Sequence, residues 1–199
     1  MQVWGGADVT GVAPAPPARC DTQRRREILR EAKALGIPDD YGHSRGLRLQ
    51  REPLDIAYIG DDIHARAQWL APRAAHAFSH MRETAAADRI ALQIVSAFRS
   101  AEYQLGIIKR KLERGQSIDE ILRVSAAPGY SEHHCGRAVD LTTPDYAALE
   151  EEFEKSPAFA WLREQAPRFG FALSYPRDNP HGIVYEPWHW CWHAATRRR

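Results

Sequence analysis

Residues 130–141 read YSEHHCGRAVDL, and the rest of the chain is best understood outward from them. Val139 and Leu141 alternate with Ala138 and Asp140, the two-residue period of a β-strand. On that strand Ala138 and Asp140 share one face, and Gly136 lets the backbone turn or approach closely just before it. His133 then sits immediately ahead of the strand. A single histidine and a single aspartate also fit a capped turn and a carboxylate facing solvent. A second stretch changes the balance: residues 185–193 read YEPWHWCWH. Glu186 and His189 would point to opposite faces of a flat strand. Pro187 cannot donate to a sheet ladder, so a bend or bulge is expected there, and a bend lets both side chains reach one site. Two imidazoles and one carboxylate make a catalytic zinc set, with water in the fourth position. On this reading His133, Asp140 and His189 hold one Zn2+ ion. Glu186 is left to take the proton of a water whose pKa has fallen to about 7.

The remaining segments frame these two stretches. Residues 5–18 are rich in Gly, Ala and Pro and read as an extended arm, so the chain divides into an arm over 1–21 and one domain over 22–199. A helix follows, capped by Thr22, with Ile28, Leu29, Ala32 and Leu35 as its apolar stripe and Gly36 and Pro38 as its stop. Residues 41–60 suggest loop and edge strand. The longest helix is expected over 61–88, opening on an aspartate cap, with Pro72 as a kink or split inside it. Residues 89–98 read as a strand. Ser100 caps the next helix and Gly115 ends it. Ser117 and Glu120 form a capping box for a short helix. Ser156 and Pro157 open another. Residues 171–175 and 183–192 read as two final strands joined by a loop. Helices come first and strands cluster late. The expected class is therefore α+β, with a small, mostly antiparallel sheet carrying the zinc site.

Composition excludes several functions. The formal net charge is +1, which gives no field for nucleic acid. The arginine clusters Arg24–Arg26 and Arg197–Arg199 read as a solvated helix face and a solvated tail. Three cysteines, Cys20, Cys135 and Cys191, are not a disulfide framework. Cys135 and Cys191 lie near the motifs, but neither has the short Cys-x-x-Cys spacing of a structural zinc site. No apolar run is long enough to span a bilayer, and the opening residues lack the basic and apolar regions of a secretory signal. His134 is set aside because it would point away from its neighbour. His181 and His193 read as loop or surface residues. Tyr185, Trp188, Trp190 and Trp192 read as core and cleft wall.

With these residues in place, a resemblance can be stated. SEHHCGRAVD fits the pattern S-x-H-x-x-G-x-A-x-D, and EPWH fits a downstream E-x-W-H. Upstream, SAFRSAEYQ fits S-x-[YF]-R-S-x-x-x-Q, and FGFALSYP precedes the last strand. Together they resemble the VanY-type zinc D-alanyl-D-alanine carboxypeptidases, within the LAS-type group of peptidases that cut peptidoglycan peptides. The resemblance runs from about Pro53 to Trp192. It implies that His133, Asp140 and His189 bind zinc and that Glu186 is general base, then general acid to the leaving amine. It implies that Arg99 stabilises the oxyanion or binds the terminal carboxylate, a task suited to a forked guanidinium. Ser131 and Gln104 would hydrogen-bond the D-Ala end, and Trp188 would pack beside the site.

The implied reaction is hydrolysis of the terminal D-Ala-D-Ala bond of peptidoglycan stem peptides, by a chain acting as a monomer. Three other readings share these residues: an L,D-carboxypeptidase, an L-Ala-D-Glu endopeptidase, and a zinc-bearing cell-wall-binding module without turnover. A closed pocket favours a carboxypeptidase, an open groove an endopeptidase, and an intact Glu186 argues against a pure binder. The implied substrate places the protein in the cell envelope or periplasm. The missing export signal leaves a cytoplasmic location as the alternative.

Overall fold

The structure is a computed structural model and describes residues 14–194. The first part of the expected arm and the Arg197–Arg199 cluster lie outside the described residues. Residues 14–20 form neither helix nor strand. Helix α1 (Thr22–Ala34) is capped by Asp21 rather than Thr22, through a carboxylate that accepts the Arg24 N–H at 2.7 Å. Ile28 and Ala32 are buried beneath it, and Gly36 ends it at φ 96°. Arg24, expected as a solvated residue, instead pairs with Glu27, Glu31 and Glu102. A short helix α2 (Tyr41–Ser44) lies inside the segment expected as loop.

The long helix expected over 61–88 does not form. Strands β1 (Ala57–Asp61) and β2 (Ala67–Leu70) make an antiparallel hairpin, with Tyr58 opposite Trp69. Asp62 decides this. Its buried carboxylate accepts from the backbone N–H groups of His64 and Arg66 and from the side chains of Arg66 and Gln68, at 2.8–3.1 Å. That pattern closes a turn instead of capping a helix. Helix α3 (Pro72–Ala87) begins only afterwards. Pro72 stands in its first turn, where a missing N–H costs nothing.

The main sheet has the order β3-β4-β6-β5 and is antiparallel throughout, in agreement with the expected α+β class. Its strands are β3 (Gln93–Ser96), β4 (Ala138–Thr142), β5 (Phe171–Leu173) and β6 (His189–Trp192). The last strand is shorter than the sequence suggests. Residues 183–188 are loop and turn, because Pro187 cannot join a ladder. Helices α4 (Ala101–Glu113), α5 (Ile118–Val124) and α6 (Pro157–Gln165) start at Ser100, Ser117 and Ser156, each accepting a backbone N–H from the first turn. The Ser117–Glu120 capping box is present. Glu52 adds a second support, accepting the N–H groups of both Ala101 and Cys20 and so tying the start of α4 to the arm.

All five residues of β4 are buried. Val139 and Leu141 join Phe78, Met81, Leu162, Phe171 and Trp190 in the largest apolar cluster, which packs α3 and α6 on one face of the sheet. A second cluster gathers Ala32, Tyr41, Ile108, Ile121 and Leu122 from α1, α2, α4 and α5. Asp140 points to the opposite face from Val139 and Leu141, as strand alternation requires.

The 3-10 turn Glu132–Cys135 delivers the chain into β4 and is closed by Gly136 at φ 64°. A Cβ at Gly136 would stand 2.9 Å from the Ala71 nitrogen, whose N–H donates to the Gly136 carbonyl at 2.7 Å. Left-handed backbone and close approach both demand glycine here. Gly136→Ala should therefore destabilise the fold by about 1–3 kcal/mol, read as a lower urea midpoint.

Candidate metal centre

Three elements bring the sequence-predicted ligands together. His133 comes from the 3-10 turn, Asp140 from the centre of β4 and His189 from the start of β6, directly across from Asp140 in the ladder. Their ligand atoms all lie within 4.8 Å of one another, and all three residues are buried. Neither Cys135 nor Cys191 is in this group. The expected bend at Pro187 is a tight turn: the His189 N–H donates to the Glu186 carbonyl at 3.1 Å. The turn swings Glu186 to the same side as His189, with its Oε2 3.8 Å from His189 Nδ1. The Trp190 indole N–H donates to the Pro187 carbonyl and holds the turn shut.

Hydrogen bonding fixes the state of His133. Its Nδ1 lies 2.6 Å from the Ala97 carbonyl, and only an N–H can bond a carbonyl, so the proton is on Nδ1. Burial pushes its pKa down to about 4, so the ring is neutral at pH 7. Nε2 is then a bare lone pair, buried without a hydrogen-bond partner, 3.2 Å from Asp140 Oδ2. Burial works against ionisation of Asp140, but the imidazoles facing it outweigh this and hold it well below the usual carboxylate range. Two electron-rich atoms thus face each other out of water. A cation between them relieves the repulsion, and a nitrogen, a carboxylate oxygen and a second imidazole nitrogen suit zinc. The residues present fit the metal.

His189 lies between two carboxylates. Nδ1 is 3.0 Å from Asp140 Oδ1 and Nε2 is 3.0 Å from Glu132 Oε2. Burial lowers its pKa, yet Asp140 and Glu132 override this and raise it to about 10. Burial likewise raises Glu132, but the His189 hydrogen bond prevails and brings it down to about 2. Glu186 goes the other way: burial pushes its carboxyl up to about 7.

Beside these groups is a small pocket of about 40 Å3. Arg99, Gln104 and Ser131 line it together with Tyr175, His133, Glu186 and His189. Arg99 Nε is buried without a partner, as is Gln104 Oε1, whose amide nitrogen donates to Ala126. Ser131 precedes the 3-10 turn without spending its hydroxyl on a cap. Trp188 lies elsewhere. It packs against the main apolar cluster and is absent from the pocket lining. His181 bonds the Arg45 carbonyl. His193 lines a larger cleft of about 650 Å3 with Arg73, Arg168 and Trp192.

Two residues that sequence reasoning passed over are in the site's frame. Glu132 meets His189 across 57 positions, and nothing in the local sequence signals that pairing. His134 does point away from His133, as expected. It is fully buried, however, and its Nδ1–H donates to the Arg99 carbonyl at 2.6 Å, fixing the segment that carries the guanidinium.

A family model described as VanY: D-alanyl-D-alanine carboxypeptidase matches residues 67–195, a span that contains every one of these residues. The chain belongs to this family. A D-alanyl-D-alanine carboxypeptidase of Enterococcus faecalis is 31% identical over 128 residues, covering 58% of this chain and 46% of that protein. The chain therefore spans about half the length of that relative. Among solved structures, the LdcB LD-carboxypeptidase superposes with a TM-score of 0.62 at 28% identity, covering 71% of this chain and 69% of the other. VanYB in complex with D-alanine-D-alanine gives 0.57 at 25%, covering 75% and 87%. The matched span contains the residues that the fold brings together.

Zinc added to chelator-stripped protein should raise the melting temperature, because a ligand bound only by the native state stabilises it. At one equivalent of zinc, His133→Ala and Asp140→Asn should remove most of that rise in differential scanning fluorimetry.

Proposed function

We propose that this chain is a zinc-dependent carboxypeptidase that hydrolyses the terminal D-Ala-D-Ala bond of peptidoglycan stem peptides. One observation carries the reading: the buried His133 Nε2 has no hydrogen-bond partner and faces Asp140 Oδ2 at 3.2 Å, beside His189 and the otherwise unused carboxyl of Glu186. Zinc held by His133, Asp140 and His189 would supply a Lewis acid that acidifies water and polarises the scissile carbonyl.

The protein's own groups account for the rest. Glu186, buried and close to His189, takes a proton from the attacking water and returns it to the leaving amine. Its depressed acidity suits both tasks. Arg99 reads the terminal carboxylate or steadies the oxyanion with a guanidinium whose buried Nε is otherwise unsatisfied. Gln104 Oε1 accepts an N–H of the terminal residue, and the Ser131 hydroxyl completes the contacts. Glu132 accepts the Nε2–H of His189, which leaves Nδ1 as the ligand atom and fixes the ring's orientation. Trp188 acts from the packing layer behind the turn.

The small volume of the pocket supports removal of one terminal residue over cleavage within a strand of cross-linked peptide. The LdcB likeness favours one second reading, L,D-carboxypeptidase action on a tetrapeptide, with the same residues in the same roles. A peptidoglycan substrate puts the place of action in the cell envelope. Among the described residues, no helix is long and apolar enough to cross a membrane.

The test is mass spectrometry of zinc-loaded protein with a pentapeptide stem ending in D-Ala-D-Ala, beside a tetrapeptide stem. Loss of one alanine from the pentapeptide supports the proposal, loss from the tetrapeptide alone supports the second reading, and two intact peptides refute both. Glu186→Gln should keep its zinc and lose about 10²–10⁴-fold in kcat. Glu132→Ala should weaken zinc binding about 10–100-fold in a chelator competition, and Glu132→Gln, which still accepts the Nε2–H, should recover part of it.

A further inference from the structure

Helix α3 carries a second pair of imidazoles that the proposed site does not use. His76 and His80 are separated by one helical turn, so they share a face, and both are exposed. Their Nε2 atoms are 3.3 Å apart and their ring centroids 4.5 Å. Two nitrogens bound to one tetrahedral zinc at about 2.0–2.1 Å are themselves about 3.3 Å apart. The rings stand at the spacing of a single ion. Their scaffold is held from the other side: Phe78 and Met81 anchor α3 in the main apolar cluster.

We propose that His76 and His80 form a bidentate surface site for a divalent transition metal, separate from the His133, Asp140 and His189 group. With the ring protons on Nδ1, the two Nε2 lone pairs converge, and an ion replaces the proton that would otherwise link them. Imidazole donors select Cu2+, Ni2+ and Zn2+ over Mg2+ and Ca2+, with Cu2+ bound most tightly. The only group of three or more ligand-type residues among the described ones is the buried one, so water fills the remaining positions. Glu83, one turn further along the stripe, accepts the Ser79 hydroxyl at 2.9 Å and adds negative charge nearby. Three arginines in this region are engaged elsewhere, Arg73 over the Trp192 ring, Arg82 with the Ile59 carbonyl and Arg168 with Gln165.

The experiment is calorimetric titration of full-length protein with Cu2+, Ni2+ and Zn2+, after one equivalent of zinc has been supplied. A further, weaker equivalent is expected, bound in the order Cu2+ over Ni2+ and Zn2+. His76→Ala and His80→Ala should each weaken it by about tenfold or more, since each removes one arm of a chelate. Neither should change peptide hydrolysis. His133→Ala should leave this second site intact, so the two metal sites fail or survive independently. Copper electron paramagnetic resonance should show coupling to two imidazole nitrogens in the wild type and one in each variant. Absence of the further equivalent, or its survival unchanged in either variant, overturns the proposal.

Discussion

The confinement of Asp140 between two imidazoles governs this molecule. A carboxylate this deeply buried is tolerated only when paired or coordinated. The β4–β6 register answers that need by setting His189 directly opposite it. The second oxygen meets a histidine whose proton is already committed to Ala97. With the His133 proton on Nδ1 and Asp140 ionised, no hydrogen lies between Nε2 and Oδ2, and a cation is a partner that suits both. The apolar packing of Val139 and Leu141 on the reverse face locks the strand in the register this requires.

A single turn then links the candidate ligand set to Arg99. His133 and His134 are neighbours that point apart, one to Ala97 and one to Arg99. The Arg99 N–H also donates to the His133 carbonyl. The segment 97–99 is therefore stapled to the turn at both ends. A shift in the turn would move a proposed ligand and the proposed carboxylate reader together, so substitutions there are not expected to act additively.

The site was largely legible in the sequence because its chemistry is concentrated in short brackets. His133 and Asp140 flank a glycine that other residues replace only at a cost in strain, and Pro187 announces the bend that turns Glu186 towards His189. The serine caps at 100, 117 and 156 were equally plain, because capping is a local bond. What escaped was decided at a distance or by competition. Asp61 and Asp62 read as a helix cap, but Asp62 collects four donors from the following residues and closes a hairpin instead. The pairing of Glu132 with His189 and the anchoring of Arg99 by His134 span 57 and 35 positions, and no local pattern records them. Trp188 resembled a cleft residue by adjacency, whereas the turn rotates it into the packing layer.

The position of β6 has a consequence for the order of assembly. Most of the scaffold, including α3, α4 and the β3–β4 pair, can form from residues that precede it. His189 arrives only with the final strand, which inserts between β4 and β5. Contacts of long sequence separation close late, since loop entropy must be overcome first. Until β6 docks, Asp140 has no cross-strand imidazole and the ligand set is short by one. The candidate centre is thus a keystone: a metal captured there would report that the whole domain has closed.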